Sequence, residues 1–419
     1  MACSSSLEEI ELGFIEKPED DLPVFASKTG GKPVWLDPVN LPRAEDLTCK
    51  KCGNPRAILL QLYAPIDHLS KCYHRTVYIF CCRNPVCHSH NDGDPFLVLR
   101  CNLPCVNPFY EPETDGDEAP KNKKELELCS TENSVQITDH KEDIVTDTKT
   151  NCRDINNDVN GEVNSDHDTN SSLDMKELSL QQDKDKTRKT PHDLPPLCVV
   201  CGCSGPKKCS RCHLINYCSR EHQVIHWKSG HKRLCGEETS ASVAGANFQR
   251  VLFEEFEIVT EPEPPIQSTP EKSESERMKE YHQFLEQQSG RSDSFNVDQM
   301  STDDVGKGLK KDKQFMVFRK RTSVEPDQVI RYQRGGSPLW ISSEHVANQV
   351  PDCERCGSRR IFEFQVMPQL LYYLKLDSTT GPSIDWGTLI VYTCEQSCTS
   401  GTGNVYQSEF LWKQDPSIM

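Results

Sequence analysis

Gly30-Gly31-Lys32-Pro33-Val34-Trp35, near one end of this 419-residue chain, is answered by Gly335-Gly336-Ser337-Pro338-Leu339-Trp340 near the other. Fourteen residues after Trp35 stands Cys49-Lys50-Lys51-Cys52-Gly53, and thirteen after Trp340 stands Cys353-Glu354-Arg355-Cys356-Gly357. An apolar segment follows each: Ala57 to Tyr63, and Ile361 to Val366, the second alternating as a half-buried strand does. Next come two β-branched and aromatic runs ending on cysteine, Val77-Tyr-Ile-Phe-Cys81 and Ile390-Val-Tyr-Thr-Cys394, with Cys87 and Cys398 a few residues on. A third strand, Phe96 to Arg100 or Phe410 to Lys413, completes each copy. Five features in one order at nearly one spacing mark a duplication. A hundred-residue half with few apolar residues has a marginal core, so six short strands close more readily as one pseudo-symmetric β-domain than as two small sheets.

The segments between the copies have another composition. Residues 111–195 contain no Phe, Trp or Tyr and carry 22 acidic against 11 basic residues, a net −11 within a whole-chain charge of −16. Excess charge with little apolar surface does not offset the entropy of folding, so residues 111–197 read as a disordered acidic linker. Residues 236–312 read as a second acidic linker with a strand-like segment near 248–260, and residues 276–288 are able to form a solvated helix. Residues 1–110, 198–235 and 313–419 remain as ordered parts. The N-terminus lacks a charged start and a long apolar core, and no run approaches the 18 apolar residues of a membrane span, so an intracellular protein without a membrane partner is expected. The acidic balance argues against whole-protein affinity for nucleic acid and favours basic partners.

Twenty-two cysteines in a reducing compartment are poor disulfide candidates, and Cys-x2-Cys pairs suit a soft metal. Between the copies lie Cys198-x2-Cys201, Cys209-x2-Cys212, Cys218-x3-His222 and His231-x3-Cys235, eight N or S donors in four pairs. The i, i+4 pairs suit one face of a helix, expected over Ser219 to Trp227. Eight ligands complete two tetrahedral zinc sites and leave no open position for catalysis. In the outer copies the cysteines are read as buried apolar residues, as a redox pair, or as one zinc site per copy; no βαβ pattern supports redox. The zinc reading takes Cys49, Cys52, Cys81 or Cys82, and Cys87, then Cys353, Cys356, Cys394 and Cys398. Alignment of the copies selects Cys81.

The stretch from Cys198 to Cys235 resembles a MYND zinc finger. That resemblance implies interleaved sites, one zinc on Cys198, Cys201, Cys218 and His222 and the other on Cys209, Cys212, His231 and Cys235. It also implies binding of proline-containing peptides through Gln223 and Trp227, although Trp227 is equally readable as packing beneath the second zinc. ELGF at 11–14, LLQLYAP at 59–65, FEEFEIV at 253–259, FEFQVMPQLLYYLK at 362–375 and SIDWGTLIVYTC at 383–394 then extend the likeness. With them the chain resembles the programmed cell death protein 2 family over all three ordered parts, and only the linker at 111–195 departs from it. The resemblance implies a nuclear and cytoplasmic adaptor, without enzymatic activity, that escorts a basic small-subunit ribosomal protein during ribosome assembly and is connected with proliferation and apoptosis. The expected architecture is therefore mainly β, with two sequence-distant repeats forming one pseudo-symmetric β-domain and a small zinc-binding α+β insert between them.

Two other classes compete. Residues 198–235 hold seven Lys or Arg and one Glu, so with six thiolates and two Zn²⁺ the finger carries about +4, enough to touch phosphates. Its spacing is not that of a DNA-reading ββα finger, and it offers no aromatic stacking platform. A methyltransferase carrying a MYND insert would show cofactor motifs, and the chain has neither a Gly-rich phosphate loop nor a nucleophile elbow. The alternative adaptor role is a transcriptional co-regulator binding proline-containing peptides. For a basic client, Phe253 to Val259 read as a strand offers Glu255 and Glu257 on an outer face with Phe256 and Ile258 inward and Glu254 at the margin, making Glu254, Glu255 and Glu257 the candidate client contacts.

Overall fold

A computed structural model describes residues 9–18, 22–111, 194–237, 248–265, 313–376, 381–399 and 405–416. Most of the two acidic linkers, with the helix expected at 276–288, lies outside the described residues. The apolar, β-branched runs of both copies form strands: β1 Glu11–Glu16, β2 Lys28–Thr29, β3 Ala57–Tyr63, β4 His74–Cys81 and β5 Phe96–Leu103. After the finger come β8 Phe256–Pro262, β9 Ile330–Tyr332, β10 Arg360–Val366, β11 Thr388–Cys394 and β12 Gln407–Gln414. The finger contributes the small ribbon of β6 Lys207–Lys208 and β7 Asn216–Tyr217 and helix α1 Arg220–His226. Two further helices, α2 Lys313–Thr322 and α3 Gln369–Tyr373, flank β9 and β10 in sequence.

Ten strands close into one barrel in the order β1-β8-β2-β3-β4-β5-β12-β11-β10-β9. The two copies are visible in it as β8-β2-β3-β4-β5 and β1-β9-β10-β11-β12. Each has a bulge at the same place, between Ile58 and Leu60 in β3 and between Phe362 and Phe364 in β10. The register obeys a pseudo-twofold axis. Along β1 and β8, Leu12 pairs with Glu261 and Glu16 with Glu257, and along β5 and β12, Arg100 pairs with Gln407. Six strands were expected in the two copies and a strand-like segment near 248–260 between them, which is β8; β1, β2 and β9 are added, and β1 and β8 are exchanged. β1, at the start of the first copy, pairs with β9 of the second, and β8, which follows the finger, pairs with β2 of the first.

One face of each strand fills the barrel with Leu59, Leu60, Val77, Ile79, Phe256, Ile258, Phe364, Val391 and their neighbours. Closure removes the exposed edges that separate halves would present. Charged groups enter this interior as ion pairs, with Arg75 Nε and Arg100 Nη1 left without a hydrogen-bond partner. Arg75 of β4 meets Glu363 of β10, both fully buried, and Thr393 donates to the same carboxylate. Arg100 and Arg360 share Glu409 at 2.7 and 3.0 Å. Each pair joins one copy to the other or braces the second, so the barrel is cross-linked by charge as well as by strands.

Candidate metal centres

Four Cys-x2-Cys turns share one backbone geometry. The residue after the second cysteine is left-handed, with φ of 72° at Gly53, 71° at Gly202, 57° at His213 and 69° at Gly357. Its N–H donates to the carbonyl of the first cysteine at 2.8–2.9 Å in all four. Glycine takes this conformation without penalty and His at some cost, which is why three of the four are Gly. The turn brings two sulfurs to one side of the chain. Arg56 and Arg360, each four residues past the second cysteine, then clamp the outer turns: Arg56 donates to the carbonyls of Thr48, Asp94 and Pro95, and Arg360 to those of Pro351, Asp352 and Ser408.

Four clusters result, each with its four ligand atoms within 4.8 Å of one another: Cys49, Cys52, Cys82 and Cys87; Cys198, Cys201, Cys218 and His222; Cys209, Cys212, His231 and Cys235; Cys353, Cys356, Cys394 and Cys398. A tetrahedron with metal–sulfur bonds of about 2.3 Å has S···S edges of about 3.8 Å. The measured edges fit: Cys52–Cys82 and Cys201–Cys218 are 3.6 Å, Cys209–Cys235 is 3.9 Å, Cys353–Cys398 is 3.6 Å and Cys356–Cys394 is 3.5 Å. His222 approaches through Nδ1, 3.1 Å from Cys218 Sγ, and His231 through Nε2, 3.4 Å from Cys209 Sγ. Ionisation is already shared unequally. Burial opposes it at Cys49, but the N–H groups of Cys52 and Lys51 outweigh that and bring its thiol to about 7; hydrogen bonds from Ser358 bring Cys356 to about 6. A soft divalent cation would draw the remaining protons off.

Cys81 is a correction. It points into the barrel core, where burial pushes its thiol up, and Cys82 joins the cluster instead. Side chains alternate along a strand, so one residue decides the face. Matching the bulges pairs Phe80 with Tyr392 in register, hence Cys82 with Cys394 and Cys81 with Thr393, one position away from the match by the run's final cysteine.

In the finger, Ser219 Oγ caps α1 by accepting from the His222 N–H at 3.2 Å, and the helix presents His222 to the first cluster. Gly230, at φ 145°, kinks the chain so that His231 turns into the second. His231 stacks on His226 at 4.8 Å, and His226 shares a 2.9 Å hydrogen bond with Tyr217. Gln223 and Trp227 are half-buried one turn apart, and Trp227 lies edge-on to His231 at 5.8 Å.

Sequence reasoning missed how the finger is held. Trp35, in a cage of Tyr78, Phe80 and Tyr406, donates its indole N–H to the Gly202 carbonyl at 2.8 Å. A Cβ on Gly202 would come 2.9 Å from that of Lys32. The first turn of the finger thus rests on the Trp35 motif. As for the acidic segment, Phe256 and Ile258 face the core as expected, but the strand starts at Phe256 and Phe253 is also buried. Glu254 is paired with Lys375 and Glu255 with Lys28, each at 2.8 Å, leaving Glu257 alone of the three without an ion pair among the described residues.

The family model described as the programmed cell death protein 2 N-terminal domain matches residues 9–117, that of its C-terminal putative domain residues 312–415, and that of the MYND finger residues 198–235. Programmed cell death protein 2 of Bos taurus is 36% identical over 420 residues, covering 99% of this chain and 98% of its own. The chain belongs to the programmed cell death protein 2 family. Programmed cell death protein 2-like of Homo sapiens is 25% identical over 98% of this chain and 97% of its own. A Schizosaccharomyces pombe protein named probable 20S rRNA accumulation protein 4 is 23% identical over 92% of each chain. No solved structure matches. The matched models describe a zinc-finger family rather than an enzyme family.

Proposed function

We propose that this protein is a non-enzymatic escort, held together by four zinc ions, that binds a basic protein of the small ribosomal subunit in cytoplasm and nucleus and supports ribosome assembly. The rRNA-accumulation name of the fission yeast relative supports the ribosomal setting. The observation that carries the reading is the outer face of the exchanged β1–β8 pair. Because Ile15, Phe256 and Ile258 turn inward, alternation turns Phe14, Glu16, Glu257, Val259 and Glu261 outward. Phe14 and Val259 are opposite one another and half-buried, with Glu16 opposite Glu257 at one end and Glu261 at the other. None of these three glutamates makes an ion pair among the described residues, whereas Glu254 and Glu255 do. An apolar centre ringed by free carboxylates suits a Lys- and Arg-rich partner that must be kept from RNA before assembly.

The test is binding of purified, zinc-loaded protein to basic small-subunit ribosomal proteins across a salt series. Affinity should fall steeply with salt, since exposed charges are screened beyond about 8–10 Å at physiological ionic strength. Reversal of Glu16, Glu257 and Glu261 to Lys should abolish it while the melting temperature holds. Absence of any such binding at low salt refutes the escort. A co-regulator that takes proline-containing peptides is then the better account. Gln223 of α1 and Trp227, which follows the helix directly, favour it by lying one turn apart and half-buried beside a metal ligand, and Trp227→Ala would abolish it.

A further inference from the structure

The four clusters are not equally sheltered. In the finger, the first has all four ligands buried and the second leaves Cys212 and Cys235 half-buried. The first-copy cluster buries Cys49, Cys82 and Cys87 and leaves Cys52 half-buried. Its second-copy counterpart leaves Cys398 half-buried and Cys356 exposed, and Cys356 is the one exposed cysteine among the described residues. Neighbouring side chains account for the difference. Lys51, which precedes Cys52, swings back across its cluster, where its Nζ donates to the Cys87 carbonyl at 2.9 Å and pairs with Asp92. Arg355, in the same place before Cys356, turns away and donates to Gln407 at 2.6 Å. Cys87 is also held in a short turn, Pro85–Cys87, capped by the Asn84 side chain, whereas Cys398 follows Ser397, a residue at φ 42° without the freedom of glycine.

The sulfurs of the exposed cluster are placed to join. Cys356 Sγ lies 3.5 Å from Cys394 Sγ, so a disulfide needs the two to close by about 1.5 Å. The loop from Cys394 to Cys398 is also where the second copy is tied to the first. Arg100 of β5 donates to the Cys398 carbonyl at 3.0 Å and Asn102 to that of Ser397 at 2.9 Å, while Arg334 donates to those of Cys394 and Glu395. Beside this loop, β5 and β12 pair only from Val98 to Arg100 with Gln407 to Glu409.

We propose that Cys356 is an oxidation site, and that the second-copy cluster is a peroxide-sensitive metal site that yields its zinc before the other three and thereby loosens the β5–β12 seam. The proposal rests on the reading that the outer clusters hold zinc. The Cys356 thiolate attacks one oxygen of the peroxide, the O–O bond breaks, hydroxide leaves, and Cys356 becomes a sulfenic acid. The Cys394 thiolate then attacks that sulfur and a second hydroxide leaves as the disulfide forms. Two thiolates have lost two electrons to one peroxide, two protons from solvent convert the hydroxides to water, and the ion, left with Cys353 and Cys398, dissociates. Burial of its ligands slows the same attack at the other three clusters.

The experiment is stepwise addition of hydrogen peroxide to the full-length, zinc-loaded protein without oxygen. Released zinc is read with a chromogenic chelator, and the ligand cysteines are mapped by alkylation and peptide mass spectrometry. The first equivalent of zinc should leave about tenfold faster than the next, together with a Cys356–Cys394 cross-link and faster hydrogen exchange in β5 and β12, and a thiol reductant with zinc should reverse all three. Cys356→His keeps a zinc donor and removes the reactive sulfur, so it should bring the first release down to the pace of the others; if that variant does not hold four zinc ions, the map of the unaltered protein alone decides. Four ions at the start with first release from the finger or the first-copy cluster, or with Cys356 still open to alkylation, overturns the proposal. A starting count of two, both in the finger, overturns the zinc reading of the outer clusters and the proposal with it.

Discussion

Glu363 is the residue whose loss should cost the barrel most. Burial alone would raise its carboxyl, but the Arg75 charge and hydrogen bonds, with Arg334 and Thr393, outweigh burial and hold it at about 2 against the ordinary 4.5. At about 1.4 kcal/mol per pH unit, that difference is worth about 3 kcal/mol, a large share of a domain's net stability of about 5–15 kcal/mol. Because the folded value is the lower one, the contribution is complete above about pH 4.5 and disappears as pH falls through about 2. Glu363→Gln keeps the shape and leaves Arg75 buried without its counter-charge, which should destabilise by about 3–5 kcal/mol. Arg75→Met/Glu363→Leu removes both charges and should recover most of that loss, since paired burial carries its own desolvation cost. Urea unfolding at pH 7 measures both. Between pH 4.5 and 2.5 the wild type should lose stability more steeply than the double variant. Glu363→Gln unfolding within about 1 kcal/mol of wild type would refute the reasoning, and with it the claim that this pair clamps the two copies together across 288 residues of sequence.

Cys82→Ser should lower the bound zinc by one equivalent, measured by mass spectrometry of the metal, whereas Cys81→Ser should leave metal content unchanged and cost only core packing, about 1 kcal/mol. Cys209→Ala should unfold residues 198–235 as a unit, because the interleaved clusters share one small chain segment and metal supplies most of its folding free energy; a finger that keeps one tight zinc and dispersed NMR signals would contradict this. Gly202→Ala meets both a φ of +71° and the Lys32 side chain, so it should cost about 1–3 kcal/mol in the finger and speed hydrogen exchange at Trp35 Nε1–H, with the barrel's melting point little changed.

The duplication was legible because Gly-Gly-x-Pro-x-Trp and the cysteine pairs do structural work that tolerates little variation. Gln61 and Gln365 show what that work is: each accepts the N–H just before its tryptophan, from Val34 at 2.9 Å and Leu339 at 2.6 Å. The finger was legible for the same reason, since ligand spacing is set by the tetrahedron rather than by context. The choice between Cys81 and Cys82 was not legible from the matching run endings, because the first copy ends its run on two successive cysteines where the second has Thr393-Cys394, and only the strand register, fixed by the equivalent bulges of β3 and β10, shows which cysteine matches Cys394. Thr393, aligned under Cys81 by the bulges, is the clue that the inward position is not a ligand. Strand exchange was hidden for a different reason. β2 has two residues and β9 three, too short for periodicity, and β1 and β8 carry the glutamates of an exposed face. The ion pairs of Glu254 and Glu255 were beyond reach, since their lysines lie 121 and 227 residues away.

A twofold barrel built from one chain cannot stay symmetric in its surroundings, because the insertion between the copies leaves from one of them and returns to one of them. Here it serves the first copy twice. The finger rests on Trp35 through Gly202, and Phe248, on the way out of the finger, packs edge-on against His226 beside the second metal cluster. From there the chain crosses Gly30 and Gly31 with Phe253 and enters the barrel as β8. The path from His231 to β8 is therefore continuous: ligand, stacked His226, Phe248, Phe253 and the strand that closes the sheet. We therefore predict that removing metal from the finger with a chelator loosens Phe248 and the segment leading into β8, read as faster hydrogen exchange along β8; unchanged exchange there would refute the link. In the second copy the twofold mate of β8 is β1, and by register Glu9 and Ile10 run where Glu254 and Glu255 run in the first. The same duplicated surface is thus met by the exit from the finger in the first copy and by β1 in the second.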